Sequence, residues 1–197
     1  MGQYWMVVNL DKKEFVNPHK LGCGLKLWEQ LANSPGTGQA LLILQAAMPE
    51  ARGGGDFTLD SDNEEYNEIA ERTIGRWVGD RVVVIGDYAV DSDLPRRQKA
   101  SKIYSYCMSK EDWKENIRNM YRDIKKLKAG TMYSNVLSPV AVSERIKEIE
   151  DRIASYKSDL WYNLYTDVSD DVAKVIEHEL DGKYVGDGWK DFKYNNR

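Results

Sequence analysis

Cysteine and histidine are nearly absent, with two of each in 197 residues. Cys23 and Cys107 stand far apart, and no basic-then-apolar leader opens the chain. Free thiols in a reducing cytosol are therefore expected, and a cytoplasmic protein rather than a disulfide framework. His19, Cys23, Cys107 and His178 could count as four zinc ligands, but they lack the paired spacing of a structural zinc site. No metal and no cofactor is expected. Long apolar runs are missing too. The longest, Ala40 to Met48, is broken by Gln45 and falls well short of the ~18 residues a bilayer crossing needs, so no membrane partner is expected. Gly53-Gly54-Gly55-Asp56 lacks the Gly-Lys-Ser/Thr ending of a phosphate loop. Asp80, Asp87, Asp91 and Asp93 lie close together, but no twelve-residue loop among them closes on the Glu of an EF-hand. Turn formation, with pairing of Asp80 to Arg81 or Arg76, explains them more simply. Met6 stands where a myristoylation signal after Met1-Gly2 would carry Ser or Thr.

What is present describes a globular chain, with 42% hydrophobic and 30% charged residues. The length suits one domain with a real core, or a domain plus an appendage. Charge is unevenly placed. Residues 1–95 hold 8 Lys+Arg against 15 Asp+Glu, residues 96–128 hold 11 against 4, and residues 129–197 hold 9 against 13. A basic island thus sits inside an acidic protein of net charge −4.

The pattern predicts an α+β fold in three parts: a body over 1–95, a basic helical insertion over 96–160, and a C-terminal helix and tail over 161–197 that pack on the body. Tyr4 to Leu10 and Glu14 to Val16 read as an N-terminal β-hairpin across Asp11-Lys12-Lys13. Leu25, Leu27, Trp28 and Leu31 open a helical pattern that Asn33-Ser34-Pro35-Gly36 stops. A second helix from Thr37 or Gly38 to about Met48 is apolar on nearly every side and is expected at the buried centre. Asp60 to Glu71 reads as a short exposed helix led by Glu64 and Glu65. Val82 to Ile85, four β-branched residues between Gly-Asp turns, read as a central strand buried on both faces.

The insertion is the clearest helical stretch. Ser109 and Asp112 form a capping pattern. Trp113, Ile117, Met120, Tyr121, Ile124 and Leu127 form one stripe behind it. Ser138-Pro139 opens a second helix whose Ile146, Ile149, Ile153, Tyr156 and Leu160 step as in a coiled coil. Residues 109–160 are therefore expected to form an antiparallel helical hairpin. Trp161, Tyr162 and Tyr165 follow, and Ser169 is expected to cap a last helix with Val172, Val175 and Ile176 on its apolar face and Gly182 at its end.

Met1-Gly2-Gln3-Tyr4-Trp5, Asn9-Leu10-Asp11-Lys12-Lys13-Glu14, Gly75-Arg76-Trp77-Val78-Gly79-Asp80-Arg81 and Gly86-Asp87-Tyr88 together resemble a family of uncharacterised small proteins from phages, bacteria and some fungi. The resemblance covers roughly the first 90 residues, and also Tyr165 to Val175. It implies no known activity and no catalytic residue. It implies that 96–160 is an insertion relative to shorter members, and that an accessory role against host defences is conceivable.

Three functional readings follow. The leading one is a non-catalytic adaptor or inhibitor that binds a protein through the insertion, with Tyr104, Tyr106, Arg118 and Arg122 as anchors, because Tyr and Arg are enriched at binding hot spots. The second is nucleic-acid binding by Arg96, Arg97, Lys99 and Lys102, interleaved with tyrosines; no helix-turn-helix, zinc-finger or RNP pattern accompanies them. The third is an enzyme or small-ligand protein whose glycine loops converge on a pocket formed by Trp77, Asp80, Arg81 and Asp87. His19 and Cys23 are the best nucleophile–base pair available, though nothing else in the sequence orients them.

Overall fold

A computed structural model of the chain describes residues 3–22, 26–32, 36–47, 62–95, 98–132, 137–158 and 162–179. Among these, seven α-helices accompany a four-stranded mixed sheet, an α+β fold. Two compact units are present: Met1–Tyr104 with Tyr165–Arg197, and Ser105–Leu164.

In the first unit the hairpin forms as its alternation requires. Strand β1 (Trp5–Asn9) pairs antiparallel with β2 (Glu14–Val16). The Asn9 carboxamide oxygen accepts the N–H groups of Asp11 and Lys12, at 2.9 Å each, and so closes the turn locally. Lys13 completes it with φ +56°, a left-handed conformation that usually falls to glycine. Strand β3 (Val82–Gly86) pairs antiparallel with β1. The sheet order is β3-β1-β2-β4, so β3 lies at an edge. That position explains a departure from the sequence reading: Val84 is 40% exposed rather than buried on both sides. The fourth strand, β4 (Thr166–Asp167), is only two residues long and runs parallel to β2; no sequence pattern announced it.

One face of the sheet, with Val7 and Val16, packs on helices α2 (Thr37–Leu44), α3 (Glu64–Thr73) and α7 (Ser169–Glu179). Met6, Val8, Phe15 and Ile85 on the opposite face are buried as well. Helix α2 is buried on one side only, through Ala40, Ile43 and Leu44, while Leu42 is 74% exposed. It stops at Leu44, short of Pro49, because the turn after α3 caps it: Gly75 N–H bonds Ile43 O and Trp77 N–H bonds Leu44 O, both at 2.8 Å. Gly75 is required there. Its φ is +72°, and a Cβ would lie 2.6 Å from the Ala46 carbonyl oxygen. Helix α3 is not merely exposed, since Tyr66, Ile69, Ala70 and Thr73 face the core. Helix α1 (Leu27–Ala32) departs from its apolar pattern in the opposite sense: Trp28 and Leu31 are exposed. Helix α7 buries Val172, Val175 and Ile176. Ser169 is its first residue rather than its cap. Asp167 Oδ1 accepts both the Ser169 N–H and its hydroxyl, and the Ser169 oxygen receives the Asn17 N–H at 2.7 Å.

The second unit is the helical hairpin; α4 (Ala100–Tyr106) comes before it in the chain, with only Ser105 and Tyr106 in this unit. Helix α5 (Lys110–Lys128) begins where Ser109 Oγ accepts the Asp112 N–H, and ends at Gly130 with φ +67°. Helix α6 (Pro139–Ser158) begins at Ser138. Ile117, Met120 and Ile124 meet Ile153 and Tyr156, flanked by Trp113, Ile146 and Ile149. Tyr121, read as part of that stripe, is instead 49% exposed. Tyr156 OH and Ser105 Oγ share a buried hydrogen bond of 2.9 Å. No helix among the described residues is long and apolar enough to cross a membrane. Cys23, Leu160, Trp161, Gly182, the glycine run at 53–55 and the tail from 180 lie outside the described residues.

Candidate functional site

The two sequence motifs at 9–14 and 75–81 meet, and their meeting has a single chemical logic. Asn9 and Glu14 are cross-strand partners at the end of the hairpin, on the same face as Val7 and Val16. Two polar side chains at the end of an apolar row need partners, and residues 76–81 supply them. Glu14 is buried. Arg76 Nε and Nη2 donate to its two oxygens at 2.9 and 2.6 Å, a bidentate fork, and Trp77 Nε1 donates at 2.7 Å. Burial pushes the Glu14 carboxyl up. The Arg76 and Trp77 hydrogen bonds together outweigh it and hold the group below its ordinary range.

The remaining charges of the two motifs, Lys13 apart, pair one to one. Asp80 Oδ2 accepts Lys12 Nζ at 2.6 Å and Asn9 Nδ2 at 2.8 Å; these bonds, the Lys12 one first, lower its carboxyl. Lys12 Nζ also donates to the Arg76 carbonyl. Asp11 binds the Arg81 guanidinium and the Arg81 N–H, and is lowered by them. Arg72 forms a fork on Asp171, which lowers that carboxyl. The expected pairing of Asp80 with Arg81 or Arg76 is thus replaced by pairs across the hairpin. Adjacent residues on an extended chain point apart, whereas hairpin and loop face each other.

The proposed pocket residues follow from this. Trp77 is fully buried in the core, with its indole N–H on Glu14. Asp80 and Arg81 belong to the pairs just described. Asp87 Oδ1 accepts the Tyr4 N–H at 3.1 Å, at the far end of β3. Asp91 accepts from Ser101, and Asp93 from the Val90 N–H. These carboxylates serve separate turns, and among the described residues no group of three His, Cys, Asp or Glu side chains could hold a metal ion.

A cleft of about 520 Å³ between α3 and α7 was not legible in the sequence. Asn63, Glu65, Tyr66, Ile69, Lys174, Glu177 and His178 line it. Tyr66 stacks on His178 at 3.5 Å and donates to Glu179 at 2.7 Å, and Lys174 pairs with Glu65 at 3.6 Å. Tyr66 and Lys174 thus have partners, and among the described residues the lining has no Ser, Thr or Cys nucleophile. The scarcity of histidine was the one signal that could have drawn attention to His178.

The anchors proposed on the insertion separate by exposure. Tyr104 and Tyr106 are half-buried, and Tyr106 packs on the α5–α6 seam. Arg118 and Arg122 are exposed on α5. Arg118 pairs with Glu115 at 2.8 Å, whereas Arg122 has no ion-pair partner among the described residues. With Lys114, Tyr121 and Lys125, also exposed, they lie at helical spacings of four, three, one and three on one side of α5. Lys157 Nζ donates to Tyr121 OH at 2.8 Å and lies over its ring. Of the residues proposed for nucleic acid, Lys99 is exposed and Lys102 is half-buried, and Arg96 and Arg97 lie outside the described residues. No family model, curated protein or solved structure matches this chain.

Proposed function

We propose that the protein is a non-catalytic accessory protein, an adaptor or inhibitor, that binds a protein partner through the exposed face of α5. One observation carries this reading. Lys114, Arg118, Tyr121, Arg122 and Lys125 form an exposed basic and aromatic stripe, while every charge of the 9–14 and 76–81 motifs except that of Lys13 is matched inside the body. Lys114, Arg122 and Lys125, without an ion-pair partner among the described residues and beside a tyrosine, suit an acidic partner surface, where Arg and Tyr act as anchors. Tyr104 and Tyr106 are half-buried; Tyr106, packed on the α5–α6 seam, would position this face rather than form its centre. The phage resemblance would make the partner a component of a host defence system, and the scarcity of cysteine suits a cytoplasmic protein.

Affinity capture from a cytosolic extract, with the captured protein then titrated against purified chain, tests the reading. Arg118→Glu with Arg122→Glu should leave circular dichroism unchanged and weaken that titrated affinity at least ~10-fold. Unchanged affinity in the double variant would refute the assignment of this face. The same stripe also favours a second reading, nucleic-acid binding. It requires that log affinity fall against log salt by about 0.9 per phosphate contacted. A capture abolished by nuclease would move the assignment to this reading.

A further inference from the structure

Strand β3 has a bare outer edge. In its ladder with β1, Leu10 N–H bonds Arg81 O and Asp87 N–H bonds Tyr4 O. The alternation of an antiparallel pair then turns Arg81, Val83, Ile85 and Asp87 toward β1, and turns the backbone groups of Val82, Val84 and Gly86 outward. The Gly86 carbonyl is taken by the Ala89 N–H. Among the described residues, nothing bonds Val82 or Val84 on the outer side. Natural edge strands are blunted by lysine, proline or a bulge. Val82-Val83-Val84-Ile85-Gly86 carries no charge and no proline. Val84 on this strand, and Val78, Tyr88 and Val90 in the segments that flank it in sequence, are exposed.

We propose that this edge pairs with the β3 edge of a second copy, antiparallel about a twofold axis at Val84. The strand is complementary to itself in that register. Val84 faces the partner's Val84 and exchanges two hydrogen bonds with it. Each Val82 carbonyl accepts the N–H of the partner's Gly86. At both ends Arg81, which keeps its fork on Asp11, stands opposite the partner's Asp87, so no like charges meet across the strands. A register shifted either way leaves part of the strand uncovered. The exposed Val84 side chains are brought together, and the two four-stranded sheets become one continuous sheet.

Sedimentation of the full chain up to about 100 μM tests this, because a dimer's population depends on concentration. The expected species is twice 22.6 kDa. Val84→Lys sets two ammonium groups together on the axis. It should shift the monomer–dimer midpoint at least ~10-fold with circular dichroism unchanged. Val84→Cys provides a test of register that does not depend on the lysine variant folding. Under mild oxidation it should give a covalent dimer beyond that of the unaltered chain, whereas Val82→Cys, facing the partner's Gly86, should not. A chain monomeric at every concentration would overturn the proposal. So would a dimer that persists unchanged in Val84→Lys, or one that crosslinks through Val82→Cys rather than Val84→Cys.

Discussion

Replacing Glu14 by Gln tests whether the hairpin and the 75–81 loop are one energetic unit. Gln keeps the shape, removes the charge and turns an NH2 group toward donors that previously met an oxygen. Three hydrogen bonds are affected, two from Arg76 and one from Trp77. Removing one partner of a buried ion pair costs about 3–5 kcal/mol, because the other charge is left uncompensated. Arg76 keeps 32% of its side chain exposed, so water takes over part of its loss. The expected cost is therefore at the lower end, about 3 kcal/mol. At a urea slope of about 2 kcal/mol per molar, the unfolding midpoint falls by about 1.5 M.

Two further readouts separate this account from ordinary packing loss. Arg76→Gln should cost a similar amount, and the double variant far less than the sum, with a coupling of about 2 kcal/mol. Acid should also close the stability gap between the unaltered chain and the Glu14→Gln variant. The folded carboxyl is held below its ordinary range, so its stabilisation is full above about pH 4.3 and is lost as pH falls through the folded value. A cost below about 1 kcal/mol, the worth of a surface pair, or additivity with Arg76→Gln, would refute the reasoning.

Other positions give independent checks. Gly75→Ala should destabilise by about 2–4 kcal/mol, since it adds left-handed strain to a contact with the Ala46 carbonyl; a thermal melt with no shift would contradict it. Lys13→Gly should raise the melting temperature by the equivalent of about 0.5–1 kcal/mol, because it removes strain at φ +56° while the Lys13 carbonyl still accepts the Thr166 N–H. Tyr156→Phe leaves Ser105 without its buried partner and should cost about 1–2 kcal/mol, read as faster amide exchange in α5 and α6.

The helices of the second unit were legible because their signals are local. Ser109 and Asp112 cap α5 within four residues, and Ile117, Met120 and Ile124 declare its buried side by spacing alone. The β1–β2 hairpin was legible for the same reason. What escaped depends on residues distant in sequence. Val82 to Ile85 has the composition of a central strand, and only the sheet order makes it an edge. Thr166–Asp167 is too short to carry a period, and its pairing is set by the hairpin it lies beside. The end of α2 is fixed by Gly75 and Trp77, some thirty residues onward, rather than by Pro49. The charged motifs were visible as motifs. That Glu14 belongs to Arg76, and Asp80 to Lys12, could not be read, because reciprocity across a fold leaves no trace in spacing.

That reciprocity bears on where function lies. A charge with a geometrically matched partner is already satisfied and adds little to a new contact, whereas an unmatched exposed charge gains from a partner of opposite sign. Lys12, Arg72, Arg76 and Arg81 are of the first kind. Lys114, Arg122 and Lys125 on α5 are of the second, with no ion-pair partner among the described residues. If β3 joins two copies, each assembly presents two such faces. A surface-bound partner would then be held by both at once, with a gain set by effective concentration and no new contact. Val84→Lys should accordingly weaken binding to an immobilised partner while leaving one-to-one affinity in solution unchanged. Equal losses in both formats would show that the strand edge, and not α5 alone, touches the partner.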